Sequence, residues 1–310
     1  MEAVLILLLA LAYDLLLGEP PAALHPVVWM GKVISLLERG AFSQNAVFQL
    51  ACGAFMVALC LALFVVPAWL VLRFLEEKSP IAYVLAGAYL LKGNLSVREL
   101  ARAAGRVRST LAQQQLEKAR TALGALVSRD TRTLSPSLVA AAAVESVAEN
   151  TADSIIAPLF YFALFGVPGA LAYRVVNTLD SMVGYHGRYE YLGKAAARLD
   201  DLLNLVPSRL TALLMVVVAP FAGARAASAW RVMWRDHALT ESPNAGWSMS
   251  AAAGALGVTL EKVGHYRLGE APAEPSEESI GRAVRMMYYC VALAVLAYLV
   301  LQGVGFVRPA

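Results

Sequence analysis

The chain has 310 residues, of which 59% are hydrophobic and only 16% charged, and its net charge is +3. Ordinary soluble domains carry ~25% charged residues, and here the apolar residues gather into long runs, so a soluble globular enzyme and a disordered chain are both excluded. The charge balance comes with no base-reading motif, so nucleic acid is not an expected partner and a lipid bilayer is.

Residues 1–17 form an apolar run whose single interior charge is Asp14. The run opens with Glu2 and no Lys or Arg, and it leads into Gly18-Glu19-Pro20-Pro21 without a small-x-small cleavage site. It therefore reads as a retained helix rather than a cleaved signal. A Pro-rich turn with His25-Pro26 follows, then an amphipathic helix over 27–39. Residues 46–72 contain no charge, enough to cross a hydrocarbon core of ~30 Å, within a helix expected to reach about residue 75. Residues 81–91 are too short to span alone and read as re-entrant or packed on the bundle.

Residues 92–132 carry nine Lys or Arg against three acids. The expectation is a polar helical hairpin over 96–129 that faces the cytoplasm; a solvated helix pair with no topological meaning is the alternative. Residues 135–220 read as mainly apolar helices studded with polar groups. Within and just beyond them, 155–176 and 205–222 are candidate spans interrupted by Arg174 and Arg209. Residues 242–247 are a loop by composition, 264–276 read as irregular, and 286–307 form a closing span. No alternation of period two stands out.

The expected fold is all-α: a polytopic integral membrane helical protein with a cytoplasmic polar helical hairpin, in one integrated domain over 1–310. Its regions are N-terminal hydrophobic helices (1–91), a basic hairpin (92–134), polar-site helices and a loop (135–260), and a variable loop with a C-terminal transmembrane helix (261–310). Cys52, Cys60 and Cys290 lie in apolar runs without CxxC spacing, which points to buried thiols rather than a disulfide or zinc site.

Four polar clusters interrupt this apolar background. At ~100° per residue, Glu145, Glu149 and Asp153 step round a helix by only ~40° each. Together with Asn150 they would present several oxygens on one stripe, a set suited to Mg²⁺, which takes few carboxylates plus phosphate and water. The alternative is that the acids pair with arginines of neighbouring helices. The second cluster is Asn177, Asp180 and Ser181, at helical i,i+3 and i,i+4 spacing, followed by Gly184. The third runs from Arg198 through Asp200, Asp201 and Asn204 to Arg209; its arginines could grip a phosphate or carboxylate, or touch lipid headgroups. The fourth joins Trp234-Arg235-Asp236-His237 to Ser242-Pro243-Asn244-Ala245-Gly246-Trp247, where His237, like His25, could equally be structural. Phosphate-loop, dinucleotide, HExxH and GxSxG motifs are absent from the sequence.

Several of these motifs together resemble one family. Asp14-Leu-Leu-Leu-Gly-Glu-Pro-Pro21 with His25-Pro26, Glu145-Ser-Val-Ala-Glu-Asn-Thr-Ala-Asp153 with Ala157-Pro-Leu-Phe-Tyr161, Asn177-Thr-Leu-Asp-Ser-Met-Val-Gly-Tyr185, Ala197-Arg-Leu-Asp-Asp201 and Ser242-Pro-Asn-Ala-Gly-Trp247 are similar, in consistent order over about residues 12–260, to adenosylcobinamide-phosphate synthases. These are the membrane-bound amide ligases of cobalamin biosynthesis. The resemblance implies an enzyme that joins a carboxyl of adenosylcobyric acid to the amine of (R)-1-amino-2-propanol phosphate, with ATP as co-substrate and Mg²⁺ as cofactor. It implies a multi-pass cell-membrane protein whose site opens to the cytoplasm.

On this reading Glu145, Glu149, Asp153 and Asp180 are catalytic candidates. Asn150, Asn177, Arg198, Arg209, Asn244 and His25 are substrate-binding candidates, and Glu145, Glu149, Asp153, Asp200 and Asp201 are metal candidates. Which amino alcohol is used, whether ADP or AMP is released, and the oligomeric state stay open. An intramembrane prenyl- or phosphatidyl-transferase and an ion-coupled transporter are the alternatives; the missing repeat and the basic hairpin stand against the transporter.

Overall fold

The computed structural model of the chain describes residues 1–41, 45–269 and 273–305. The described residues are mainly helical, as the sequence predicts. Four helical stretches are long and apolar enough to cross a membrane: Ala46–Lys78, Pro136–Val183, Lys194–Ala222 and Glu277–Gly303. The chain resolves into two compact units.

The first unit comprises residues 1–96, 157–203 and 298–310. It holds α1 (Glu2–Leu16), α2 (Pro26–Ala41), α3 (Ala46–Lys78), α4 (Pro80–Lys92) and α8 (Ala157–Val183), and the start of α9 (Lys194–Val218). Side-chain caps set two helix starts. The Asn45 carboxamide accepts from the Val47 and Phe48 amides, and the Ser79 hydroxyl accepts from Ala82 N, just ahead of Pro80 at the first helical position. Helix α3 leaves Phe48, Phe55, Val66, Trp69, Leu70, Val71 and Phe74 exposed. A 33-residue helix with so much apolar surface uncovered needs lipid around it.

Its inner face packs on α2 and α8 through Met56, Val57 and Cys60 against Met30, Ile34, Leu171, Val175 and Leu179. Packing of small residues, rather than the hydrophobic effect, brings helices together in lipid. Gly53 lets α3 approach the turn before α9 in the same way: a Cβ there would sit 2.0 Å from the Leu192 carbonyl oxygen. The retained N-terminal helix is α1, whose 15 residues reach about 22 Å against the ~30 Å core; it packs along α4.

The second unit comprises residues 97–156 and 204–297. Helices α5 (Val97–Ala112) and α6 (Leu116–Leu123) form the expected polar hairpin and pack on α7 (Pro136–Thr151), which Ser135 caps ahead of Pro136. A π-helical turn, Ala152–Ile156, follows α7. Its cause is legible in the sequence: Pro158 has no N–H to offer the Ser154 carbonyl and crowds it, which disturbs a regular helix. The unit also contains the rest of α9, ending in a 3₁₀ turn (Ala219–Ala222), then α10 (Ala226–Asp236), α11 (Ala245–Leu256) and most of α12 (Glu277–Gly303).

Residues 264–276, expected to be irregular, belong in part to an antiparallel hairpin that the period-two search missed. Its strands are β1 (Leu260–Lys262) and β2 (Tyr266–Leu268), paired Leu260 to Leu268. Three-residue strands are too short to show alternation. Residues 270–272 of that stretch, and the expected closing span beyond residue 305, lie outside the described residues. All three cysteines are free, and Cys60 and Cys290 are buried.

Candidate functional site

Each unit carries a buried polar network. In the first unit, Lys92 ends α4 and is fully buried. Its Nζ lies 3.0 Å from Asp14 Oδ1 and 2.8 Å from Glu19 Oε2, and it also donates to the Leu95 carbonyl at 3.2 Å. Two hydrogen-bond acceptors, Glu19 and the Leu95 carbonyl, together with the ion-paired Asp14 carboxylate surround the ammonium, which is how a buried lysine is tolerated. Glu19 is joined in turn by His25 Nε2 at 2.9 Å. The Val27 amide donates to His25 Nδ1, so the ring proton sits on Nε2 and points at Glu19. Burial works against Glu19 ionising, but the His25 and Lys92 hydrogen bonds outweigh it and hold the carboxyl below its ordinary range. His25, expected to bind substrate, thus has both ring nitrogens engaged inside the fold.

The same unit orders the second and third sequence clusters. Arg174 on α8 is buried; its Nη2 donates to the Asn94 carbonyl and its Nη1 to Asn177 Oδ1 at 3.1 Å. Fixing that oxygen turns the Asn177 amide nitrogen toward Asp200 Oδ1, 3.3 Å away. Asn177 and Asp200, expected from separate motifs, are therefore brought together, while Asp201 on the next position of the helix is held at 3.9 Å by Arg198. The Arg198 side chain is 77% exposed, unlike a buried anion clamp. Asp180 is half-buried and close under Gly184, where a Cβ would meet Asp180 Oδ1 at 2.0 Å.

In the second unit, α7 carries the acidic motif. Glu145 is buried, and its Oε2 accepts from Arg129 Nη2 at 3.0 Å. The alternative of an arginine partner is thus realised for this acid. Glu149 and Asp153 are half-buried. Asp153 lies in the π-helical turn, where the regular 100° step behind the common stripe no longer applies. Among the described residues no three of His, Cys, Asp and Glu come together as a metal-ligating group. Asn150 is laced along the helix, donating to the Ser146 carbonyl at 2.9 Å and accepting from Ser154 Oγ at 3.3 Å. Tyr266 of β2 is raised well above the ordinary phenol range by burial, and then by the negative charges of Glu145 and Glu149.

Within the fourth motif, Asp236 is held below its ordinary range. Burial opposes this, but Arg235 at 2.6 Å and the Gly269 amide at 2.7 Å prevail. Gly246 explains itself in space: a Cβ there would stand 2.1 Å from the His237 carbonyl oxygen, so α11 can start against α10 only with glycine. Arg209 Nη1 reaches Asn244 Oδ1 at 2.9 Å, and its Cζ lies 4.8 Å from the centre of the Trp247 ring.

Sequence reasoning missed Lys92, Asn94, Arg129, Arg174 and Tyr266. Arg174 was visible as an interruption of an apolar run, the usual sign of a functional charge in a membrane helix. The partners of the others lie far along the chain.

Buried cation–carboxylate and cation–amide networks among lipid-length apolar helices define an all-α membrane-type protein with polar machinery in its interior. The CobD/Cbib protein family model matches residues 7–287. Cobalamin biosynthesis protein CobD of Dehalococcoides mccartyi is 53% identical over 270 residues, covering 87% of this chain and 88% of that protein. Probable cobalamin biosynthesis protein CobD of Methanothermobacter thermautotrophicus is 41% identical over the whole of both chains. Cobalamin biosynthesis protein CobD of Geobacter metallireducens is 42% identical over 95% of each. No solved structure matches. The chain belongs to the CobD/Cbib protein family.

Proposed function

We propose that the chain works in cobalamin biosynthesis as the adenosylcobinamide-phosphate synthase: it joins the adenosylcobyric acid carboxyl to the amine of (R)-1-amino-2-propanol phosphate, consuming ATP. The observation that carries this reading is the family membership over nearly the whole chain, with relatives named for cobalamin biosynthesis. The interior polar networks include residues of the motifs that carry the resemblance: Asp14, Glu19 and His25; Glu145; Asn177 and Asp200; and Asn244, which Arg209 contacts.

A carboxylate is a poor acyl donor until one of its oxygens can leave with phosphate or AMP. ATP supplies that leaving group, and the amine nitrogen then forms the amide as it loses a proton. Mg²⁺ fits the donor set here. Glu149 and Asp153 are half-buried carboxylates four residues apart, one on α7 and one in the π-helical turn that follows it, and Mg²⁺ binds through one or two carboxylates plus phosphate oxygens. When bound, it would neutralise triphosphate charge. Glu145, on the same helix as Glu149, is paired with Arg129. In the other unit, Arg174 fixes Asn177 so that its amide N–H₂ faces Asp200. The exposed cations of the α5–α6 hairpin support a cytoplasmic orientation for that hairpin, the compartment in which ATP is available.

The test is reconstitution. Purified protein in detergent should consume ATP only when adenosylcobyric acid and the amino alcohol phosphate are both present, and mass spectrometry of the nucleotide should distinguish ADP from AMP. ATP turnover indifferent to either substrate would refute the assignment.

A further inference from the structure

Arg209 is set apart from Lys92, Arg129 and Arg235 by what surrounds it. Lys92 faces Asp14 and Glu19, Arg129 faces Glu145, and Arg235 faces Asp236. Arg209, half-buried on α9, meets no carboxylate among the described residues. Its partners are neutral oxygens, all gathered on one nitrogen: Nη1 lies 2.8 Å from the Leu205 carbonyl, 2.9 Å from Asn244 Oδ1 and 3.2 Å from Ser208 Oγ. Ser208 Oγ lies 3.3 Å from the same Asn244 oxygen, which fixes the amide with its oxygen toward the guanidinium. The plane is held from the side by Trp247, whose ring centre is 4.8 Å from Cζ. Trp247 in turn lies against His237, with ring centroids 4.0 Å apart.

A guanidinium has five N–H donors. Here the two Nη1 hydrogens are shared among three acceptors, and the Nε–Nη2 edge has no acceptor among the described residues. That edge is the fork that grips phosphate and carboxylate oxygens bidentately. Trp247 is buried, and its Nε1–H also lacks an acceptor. A cation removed from water without a counter-charge is costly. Neutral acceptors and an aromatic face offset part of that cost, and an anion on the open edge would offset the remainder.

We infer that Arg209, positioned by Asn244 and Ser208 and backed by Trp247, is a phosphomonoester-binding subsite. Resting on the proposed amide-ligase reading, it takes the phosphate of the amino alcohol substrate rather than the acyl partner. The shared chemistry is a phosphate group, which a soluble phosphomonoester and an anionic lipid headgroup both offer.

Trp247 makes the site observable. Full-length protein in neutral detergent, without ATP or the acyl substrate, is titrated with 1-amino-2-propanol phosphate while tryptophan fluorescence is followed. A saturable change is expected that W247F abolishes, that inorganic phosphate competes away, and that unphosphorylated 1-amino-2-propanol does not produce. R209K should weaken binding about ten- to a hundred-fold, the loss of a charge-assisted pair. N244D keeps the size of the side chain but sets a carboxylate against Arg209; it should abolish phosphate binding in a protein that folds at least as well, so loss of binding there is not misfolding. In nanodiscs, exchanging phosphatidylcholine for phosphatidylglycerol should leave the titration unchanged.

Wild-type affinity in R209K and N244D would overturn the subsite. So would competition by phosphatidylglycerol and not by inorganic phosphate, which would make it a headgroup site. Phosphate binding that survives when no amide forms would sink the ligase reading and leave the subsite. Ligation with a phosphate affinity indifferent to Arg209 would do the reverse.

Discussion

Arg129 and Glu145 are 16 residues apart in sequence and 3.0 Å apart in space, with the carboxylate almost wholly buried on α7. Such a pair has cost its desolvation already, and removing one partner leaves a buried charge alone, typically at 3–5 kcal/mol, whereas apolar replacement of both can be neutral. E145Q and R129M should therefore each lower the thermal midpoint in detergent, by an amount equivalent to about 3 kcal/mol. The double variant should lose less than the sum. Strict additivity in this cycle would mean that the two charges do not sense one another.

Glu149 sits one turn further along, half-buried. E149Q keeps its shape and removes its charge. If the carboxylate helps hold Mg²⁺ and phosphate, turnover should fall about 10²-fold or more with little change in thermal midpoint, and the loss should be greatest at limiting Mg²⁺. Near-normal turnover at limiting Mg²⁺ would remove Glu149 from the site.

The sequence made the helices legible because their signals are local: apolar length, Pro80 and Pro136 behind capping serines, and the polar composition of α5 and α6. It made the motif residues legible as polar atoms where lipid or core was expected. It could not supply their partners. Lys92 was counted with the basic hairpin, yet its ammonium is buried between Asp14 and Glu19, and Arg129 of the same count is committed to Glu145. Neither informs topology. The common stripe of Glu145, Glu149 and Asp153 assumed a regular helix, and Pro158 lies just where the π-helical turn breaks that regularity. Long-range pairing and helix irregularity were the two things periodicity could not carry.

Arg198 and Arg209 bracket the same motif but have opposite surroundings. The Arg198 side chain is 77% exposed and 3.9 Å from Asp201, a pair of the kind worth about 0–1 kcal/mol. R198Q should leave the thermal midpoint within about 2 °C, and the Michaelis constants for both organic substrates within about two-fold. A ten-fold rise in either constant would show that Arg198 reaches a substrate despite its exposure.

Asp236 gives the second unit an acid limit. Its ordinary value is 3.8, and the folded value is lower. A depressed carboxyl contributes stability that is fully present above the ordinary value and is lost as pH falls through the folded one. The thermal midpoint of the wild type should thus drop more steeply below pH 3.8 than that of D236N. At neutral pH D236N should be the less stable by about 1.5–3 kcal/mol, the worth of hydrogen bonds to a charged group. Parallel curves for the two proteins between pH 5 and pH 2 would show that Asp236 is not the titrating group.

The hairpin of α5 and α6 tests orientation. After Lys92 and Arg129 are set aside as buried pairs, its remaining cations, including Arg98, Arg102, Arg106 and Lys118, still outnumber Glu99 and Glu117, and the positive-inside rule counts such short flanking segments. The turn between the helices is the place for a reporter, but Gln114 has φ +57, a left-handed conformation that strains a cysteine. Gln113 is exposed and free of that strain. In a Q113C variant lacking Cys52, the two natural cysteines left are buried. An impermeant maleimide should then leave intact cells unlabelled and react once the membrane is permeabilised. Labelling of Q113C in intact cells at the permeabilised rate would put the hairpin outside. The proposed site would then lie away from the compartment that holds ATP, and the ligase mechanism would need a different energy source.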